Sequence, residues 1–135
     1  MRECTDYKDL IGDLCDYFRD ALAAAAAAGV PPERFMLDPG IGFAKNPAQN
    51  LELIAHLDRF RALGRPVLAG PSRKSFLGAL LPGTPPPERD WATAAAVACC
   101  VLRGADVVRV HNVEKMREAA VVAAAIRDAG SPPAR

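Results

Sequence analysis

Three clusters of polar residues in this sequence carry groups that could do chemistry. The first is the run LDPGIGFAK, in which Asp38 is followed by a stiff proline and two permissive glycines. A carboxylate in this setting can pair with an arginine, or with a planar ligand that offers two adjacent N–H donors, such as a 2-amino-4-oxo heterocycle. It can equally cap the turn that follows, by accepting from a backbone N–H. The spacing leaves both interpretations open.

The second cluster is the run GPSRKSFLG, in which the cations Arg73 and Lys74 lie between Ser72 and Ser75. If a short helix begins here, its first N–H groups and Ser75 favour a carboxylate or a phosphate. A solvated basic turn is the alternative. The glycine and lysine spacing of a Walker phosphate loop is absent.

The third cluster is the run VVRVHN, which contains Arg109 and His111. Alternation along a strand places these two side chains on one side, and two donors at a strand end make an anion site. An arginine that pairs with a carboxylate is the structural alternative. The sequence shows no Ser/His/Asp or Cys/His arrangement, which disfavours covalent catalysis.

Glycines and prolines divide the chain into the elements that must position these clusters. Hydrophobic periodicity predicts long helices over residues 6–28, 47–63, 88–103 and 114–128. Short, continuously apolar runs predict strands over residues 35–37, 67–69 and 107–110. Strands of this kind are buried on both faces, which indicates a parallel sheet covered by helices. Each polar cluster follows a strand, so all three should gather at the carboxyl end of the sheet.

Composition excludes several classes of protein. The 135 residues suit one domain, and the 17 basic residues nearly balance the 16 acidic ones. This balance argues against a nucleic-acid partner that is held through phosphate contacts. No apolar run reaches the ~20 residues of a membrane helix, and the polar start lacks a secretory signal pattern. We therefore predict a cytoplasmic protein without a membrane partner.

We predict structural roles for His56, for the cysteines and for the single tryptophan. The four cysteines form no CxxC pair, and His56 and His111 lie at no ligand-like spacing, so we predict reduced thiols and no metal ligands. We expect His56 to be an exposed helix residue. Trp91 begins an apolar helix, where we expect it to anchor packing.

In their order, the runs LDPGIGFAKN, LAGPSRKSFLG and VVRVHNV resemble dihydropteroate synthase, the folate-pathway enzyme that joins a pterin pyrophosphate to para-aminobenzoate. The resemblance extends over residues 6–127, and SRKSFLG and RVH are its most specific parts. The family is a TIM (β/α)8 barrel. The resemblance implies an α/β fold, the C-terminal part of such a barrel, with about three parallel strands and four helices. It implies one partial pterin-binding domain over residues 1–135, from helix 5 through helix 8 of the family fold.

The resemblance also implies roles for individual residues, all in contact with substrate. The pterin would be bound by Asp38, Gly70 and Lys74. The para-aminobenzoate would be bound by Phe43, Arg73 and Ser75. The departing pyrophosphate would be bound by Arg109 and His111. Lys74, Arg109 and His111 would be catalytic, because they position the substrates and stabilise the leaving anion.

Several features depart from the family pattern. Ala44 stands where glycine is usual, and Asn112 stands where aspartate is usual after RVH. The family implies Mg²⁺ as a cofactor, but its asparagine ligand and the N-terminal pterin motif have no counterpart here. Since only three of eight strands are found, we expect the chain alone to be marginally stable, to aggregate or to pair with another copy. We also expect it not to make dihydropteroate by itself.

Partners and alternatives follow from the same resemblance. We expect small-molecule substrates, and a homodimer formed through the helices on the C-terminal side. One alternative is a pterin-binding methyltransferase domain of the folate–corrinoid type, against which SRKS followed by RVH argues, because those residues serve an aryl carboxylate and a pyrophosphate. The other is a non-catalytic pterin-binding remnant, which the presence of Asp38, Lys74 and Arg109 disfavours.

Overall fold

The structure, a computed structural model, describes residues 7–130. In that range the helices are α1 (Leu10–Ala27), α2 (Pro47–Ala55), α3 (Leu57–Arg61), α4 (Ser75–Leu80), α5 (Asp90–Leu102) and α6 (Val113–Ala129). The strands are β1 (Leu68–Ala69) and β2 (Val107–Val108), and 3-10 turns span Pro32–Arg34 and Pro86–Glu88. One of the four predicted thiols, Cys4, lies outside the described residues.

The sheet has the predicted parallel direction but is shorter than the apolar runs indicate. Leu68 lies opposite Val107 in the β1–β2 pair. The strand predicted over 35–37 is reduced to one parallel bridge between Leu37 and Val67. Pro39 carries no N–H, so the ladder cannot continue past Asp38. The three segments still lie side by side, which brings their carboxyl ends to one edge.

Burial on both faces is approached only in the middle segment, because Met36 in the first segment is 47% exposed. Val67 and Ala69 are fully buried, whereas Val107 is 41% exposed. β2 is the last strand of the described sheet, with β1 on one side only. The prediction that this strand is buried on both faces is therefore wrong: Val108 packs against the core, while the opposite face, which carries Val107, is open.

Two helix predictions are corrected by local geometry. α1 begins at Leu10 rather than at residue 6, because Asp9 is its N-cap and accepts from the Gly12 N–H at 3.0 Å. The helix predicted over 47–63 is divided at His56, whose φ of −122° and ψ of 27° leave the helical region. His56 is exposed, as expected, but it lies at the break between α2 and α3 and not within a helix.

An apolar core joins α1 and the α2–α3 pair to the parallel segments, and side chains from α4 and α5 complete it. The Phe18 and Phe60 rings meet edge to face at 5.8 Å between centroids. Phe60, Leu53 and Leu57 are completely buried, so α2 and α3 keep one common apolar face despite the break. This packing fixes where each segment of the sheet ends, and thereby where its polar loop emerges.

α5 and α6 pack against each other on the β2 side of the sheet. Thr93, Val97 and Cys100 form the buried face of α5, while Trp91 is 90% exposed. The expectation that Trp91 anchors packing is wrong, because the buried Thr93 is two positions further along the helix and so lies about 200° away around the axis.

The described cysteines are free thiols, as predicted. Cys15 and Cys100 are buried and Cys99 is exposed. Burial raises the pKa of the Cys100 thiol to about 12, so this group stays protonated at neutral pH. Within residues 7–130, no helix is long and apolar enough to cross a membrane.

Candidate active site

The carboxyl ends of the parallel segments bring the polar clusters together, which confirms the predicted gathering. A cleft of about 310 Å³ opens between the loop after β1 and the loop after β2. It is lined by Gly70, Ser72, Lys74, Arg109, Val110 and His111. The loop that follows Leu37 joins this cleft through Lys74, whose Nζ lies 3.6 Å from the centroid of the Phe43 ring. The site therefore combines donors and cations from loops that are far apart in the chain.

Asp38 begins the first of these loops, and its side chain is exposed. Its Oδ1 accepts from the Gly40 N–H at 2.9 Å, so the turn-capping interpretation is observed. Within the described part of the chain, Oδ2 makes no hydrogen bond to protein. Asp38 also acts electrostatically on Lys45 and Lys74, whose pKa values its charge raises against the lowering effect of their burial. One carboxylate oxygen thus holds the turn while the other is available to a ligand.

Asn50, on α2, is a site residue that sequence reasoning missed. It is 2% exposed, and its Oδ1 accepts from the Gly42 N–H at 2.5 Å. Its Nδ2 donates to the carbonyls of Lys45 at 3.2 Å and Asn46 at 2.9 Å. The buried amide uses its acceptor and both donors on one loop, so it shapes that loop. The available signal was a polar residue one turn before Leu53, in the first turns of the helix that follows a glycine-rich run.

The loop shaped by Asn50 uses left-handed backbone that brings Lys74 close. Gly42 has a φ of +82°, and a Cβ there would lie 2.6 Å from Lys74 Cδ. The aliphatic stem of Lys74 therefore lies directly on this glycine. Ala44, the first departure from the family pattern, has a φ of +48°, a conformation that costs a non-glycine residue about 1 kcal/mol.

Lys74 is a partly desolvated cation at the junction of the three loops. Burial is the largest cause that lowers its pKa, and the positive charge of Arg109 lowers it further. Its ammonium faces the π-system of Phe43, which compensates part of the lost hydration. A cation in this environment attracts an anionic ligand more strongly than one in open solvent does.

Arg73 does not line the cleft but is bound to α5. Its Nε and Nη2 both donate to Asp90 Oδ1, at 3.1 and 3.0 Å. The other oxygen, Oδ2, accepts from the Asn112 side chain at 2.9 Å. These contacts, the Asn112 amide first, lower the pKa of Asp90. Arg73, Asp90 and Asn112 therefore tie the loop after β1 to the loop after β2.

Asn112, the second departure from the family pattern, has a defined role in this link. An ionised aspartate at this position would have no hydrogen to donate to the Asp90 carboxylate. The Asn112 amide, by contrast, donates a hydrogen bond to it. Its oxygen caps α6 by accepting from the Lys115 N–H at 3.3 Å. The substitution is therefore compatible with both the helix start and the link between loops.

Arg89 holds the loop after β1 from the other side, and it is a second residue that sequence reasoning missed. Its Nη1 donates to the carbonyls of Arg73 and Lys74, each at 3.3 Å. The Arg73 N–H donates in turn to Thr93 Oγ1 at 3.1 Å. Arg73 has a φ of +59°, and these contacts hold that unfavourable backbone conformation.

Arg109 and His111 stand on the opposite wall of the cleft. The guanidinium of Arg109 passes over Gly70, where a Cβ would lie 3.5 Å from its Nη2. His111 Nδ1 lies 2.9 Å from the hydroxyl of Ser72. Ser75 is exposed and begins α4, the short helix that the sequence suggested as an anion site. Among the described residues, no group of three or more His, Cys, Asp or Glu side chains could hold a metal ion.

Parallel segments with a basic cleft at their carboxyl ends define an α/β protein, a class in which ligands bind at that end of the sheet. The sequence profile of the pterin binding enzyme family matches residues 1–111, and the chain belongs to this family. The chain is 47% identical over 126 residues to the dihydropteroate synthase of Synechocystis sp. The aligned residues cover 93% of this chain and 44% of the relative. These findings confirm the resemblance carried by the three motifs.

Solved structures give the same result. A crystal structure of Yersinia pestis dihydropteroate synthase with a sulfonamide drug has a TM-score of 0.90 and 37% identity, over 95% of this chain and 46% of that one. The Xanthomonas albilineans dihydropteroate synthase with 4-aminobenzoic acid has a TM-score of 0.87 and 36% identity, and the match covers 96% of this chain and 47% of that one. These relatives are transferases, and the chain spans a little under half of their length.

Proposed function

We propose that this chain is the part of a cytoplasmic dihydropteroate synthase that holds the pterin and its pyrophosphate leaving group. The reaction would join 6-hydroxymethyl-7,8-dihydropterin pyrophosphate to para-aminobenzoate in folate biosynthesis. The observation that carries the proposal is the cleft in which Lys74, Arg109 and His111 meet, beside the available oxygen of Asp38. The fold would be the C-terminal part of a TIM barrel, from its fifth to its eighth helix.

The roles proposed for these groups follow from their chemistry. The available oxygen of Asp38 would accept from the 2-amino group and ring N–H of the pterin. The amine nitrogen of para-aminobenzoate would form a bond to the pterin methylene carbon and lose a proton, while the C–O bond to pyrophosphate breaks. The electron pair of that bond leaves with the pyrophosphate, where Arg109 and His111 stabilise the charge. Lys74 would lie beside the reacting centre.

The proposed para-aminobenzoate pocket rests on Phe43, Ser75 and Arg73. Phe43 is 49% exposed, so part of its ring offers apolar surface to an aryl ligand. The exposed hydroxyl of Ser75 can donate to the carboxylate. Because Arg73 is bound to Asp90, its contribution as the structure stands is to hold the loop that carries Ser75.

Magnesium does not fit the residues described in this cleft. The cleft side chains are the cations Lys74 and Arg109 with the donors His111 and Ser72, whereas Mg²⁺ is bound by carboxylate and carbonyl oxygens and by water. No step of the proposed reaction is therefore assigned to a metal held by these residues.

The pterin contact is tested by changing Asp38 to Asn. We expect the full chain to bind 6-hydroxymethylpterin, and Asp38→Asn to weaken this binding about 30-fold, because one charge-assisted acceptor of the ligand donors is lost. The asparagine can still accept from the Gly40 N–H, so the turn should survive. Isothermal titration calorimetry measures both affinities.

The matched control for this test is Asp20→Asn, on the exposed side of α1, which should leave pterin affinity unchanged. A folded wild-type chain that does not bind the pterin would contradict the proposal. Equal affinity of the wild type and Asp38→Asn would contradict the role of Asp38.

We also propose that a second copy of the chain covers the groove between α5 and α6. This groove of about 740 Å³ is apolar along its floor and carries the exposed side chains of Trp91, Val122 and Ile126. Glu118 and Lys115 lie at its rim, so two copies related by a two-fold axis could pair opposite charges around an apolar centre. An exposed apolar groove of this size is typical of an interaction surface.

Sedimentation velocity tests this surface. We expect the wild-type chain to form a dimer and Ile126→Glu to be a monomer at the same concentration, because a charge in the apolar centre must be desolvated on association. Ala125→Glu is the matched control, since Ala125 is exposed on α6 outside this groove. A monomeric wild type, or a dimer that Ile126→Glu does not affect, would show that the groove is not a dimer interface.

A further inference from the structure

Ser72 and His111 join the two loops of the cleft through a pair of hydrogen bonds. Ser72 is 5% exposed, and its hydroxyl oxygen accepts from the His111 backbone N–H at 3.2 Å. The same oxygen lies 2.9 Å from Nδ1 of the His111 ring. The backbone N–H and the ring of His111 therefore both contact one buried hydroxyl.

The single hydrogen that this hydroxyl can donate decides which ring nitrogen of His111 carries a proton. A serine hydroxyl has one hydrogen to donate, and here its oxygen already accepts from a backbone N–H. Donation of that hydrogen to Nδ1 satisfies every group, and it requires Nδ1 to be unprotonated. If Nδ1 carried the proton instead, the Ser72 hydrogen would be buried without any acceptor among the described contacts, which is costly.

We propose that Ser72 is a positioning residue that holds His111 as the tautomer protonated on Nε2, so that the ring presents a fixed N–H donor to the cleft. Nε2 is at the ring edge away from Ser72, and His111 lines the cleft with Arg109. The identity of the anion that receives this donor rests on the proposed function, whereas the tautomer does not. The arrangement supplies a donor without adding charge beside Lys74 and Arg109, and it fixes the direction of the donor before the anion arrives.

The tautomer is read directly from nitrogen chemical shifts. In a ¹⁵N-labelled chain at alkaline pH, where imidazole is neutral, we expect a pyridine-type shift at His111 Nδ1 and a pyrrole-type shift at Nε2. His56 is the only other histidine in the sequence, so the variant His56→Gln completes the assignment. In Ser72→Ala both His111 nitrogens should move toward averaged shifts, because the two neutral tautomers then exchange.

Two further variants separate positioning from general damage to the loop. Ser72→Thr keeps the hydroxyl and should restore the wild-type shifts. Ser75→Ala removes a hydroxyl from the first residue of α4, just after this loop, and it should leave the His111 shifts unchanged. A pyrrole-type shift at Nδ1 in the wild type, or unchanged shifts in Ser72→Ala, would overturn the inference.

Binding of inorganic pyrophosphate, followed by calorimetry, tests the donor itself. We expect Ser72→Ala to bind pyrophosphate about fivefold more weakly than the wild type, the effect of one lost net hydrogen bond, and Ser72→Thr to recover the affinity. Equal affinity in Ser72→Ala would overturn the role of the donor. A wild type that shows the expected tautomer but does not bind pyrophosphate would instead count against the proposed function, while the tautomer assignment would stand.

Discussion

Replacing Asn50 with leucine should lower the free energy of unfolding by about 3 kcal/mol, since the three hydrogen bonds of a buried amide are lost at once. The substitution keeps the size of the side chain but leaves the Gly42 N–H and the Lys45 carbonyl without their partner, while the Asn46 carbonyl keeps the backbone N–H of residue 50. Buried backbone groups that lose a partner pay the full cost of desolvation. Urea unfolding monitored by circular dichroism measures the change.

The same substitution should also weaken ligand binding, because the loop shaped by Asn50 supports Lys74 through Gly42. The matched control is Leu51→Ala, next to Asn50 on the same helix but 41% exposed, which should cost far less stability. An unfolding midpoint for Asn50→Leu equal to that of the wild type would show that the buried amide does not hold the loop.

Replacing Arg109 with alanine should weaken binding of inorganic pyrophosphate about 30-fold, equivalent to about 2 kcal/mol. The guanidinium provides charge-assisted hydrogen bonds in a fixed planar geometry, and in this cleft it stands opposite Lys74. The affinity of the variant should also depend less on salt concentration, because one of two cations that attract the ligand is gone. Calorimetric titrations at two salt concentrations give both quantities.

Arg103→Ala provides the control for charge alone. Arg103 is exposed at the end of α5, before β2 begins, and so lies at the opposite end of the sheet from the cleft. The variant Arg103→Ala removes the same charge as Arg109→Ala does, and it should change pyrophosphate affinity little. Equal losses in Arg103→Ala and Arg109→Ala would mean that overall charge, and not the cleft, attracts the anion.

Much of the fold and of the site was predictable because the signals are local. Apolar runs that end at proline or glycine predicted the parallel segments, and the gathering of Asp38, Lys74 and Arg109 followed from the geometry of parallel sheets. The motifs also identified the family, which the comparisons confirm. The exact strand lengths were not predictable, because a strand extends only as far as a neighbouring segment forms backbone hydrogen bonds with it.

The residues that were missed depend on contacts between distant parts of the chain. Arg73 was expected at the substrate, yet its guanidinium lies on Asp90, 17 residues further along. Asn112 was noted only as a departure from a pattern, and its amide donates to that same carboxylate from 22 residues away. Periodicity marks the apolar side of a helix, but the donor that a buried polar group meets depends on packing across the fold.

The sequence alone determined the parallel architecture, the identity of the chemical groups and the end of the sheet at which they meet. These properties follow from local backbone preferences and from the period of apolar residues, which act over a few neighbours. Only the tertiary structure decided which groups are available to a ligand. Ser72, Arg73 and one oxygen of Asp38 are occupied by protein, whereas Lys74, Arg109 and the far edge of His111 face the cleft. That division depends on hydrogen bonds between loops up to 39 residues apart, which form only when the core has set the positions of their ends.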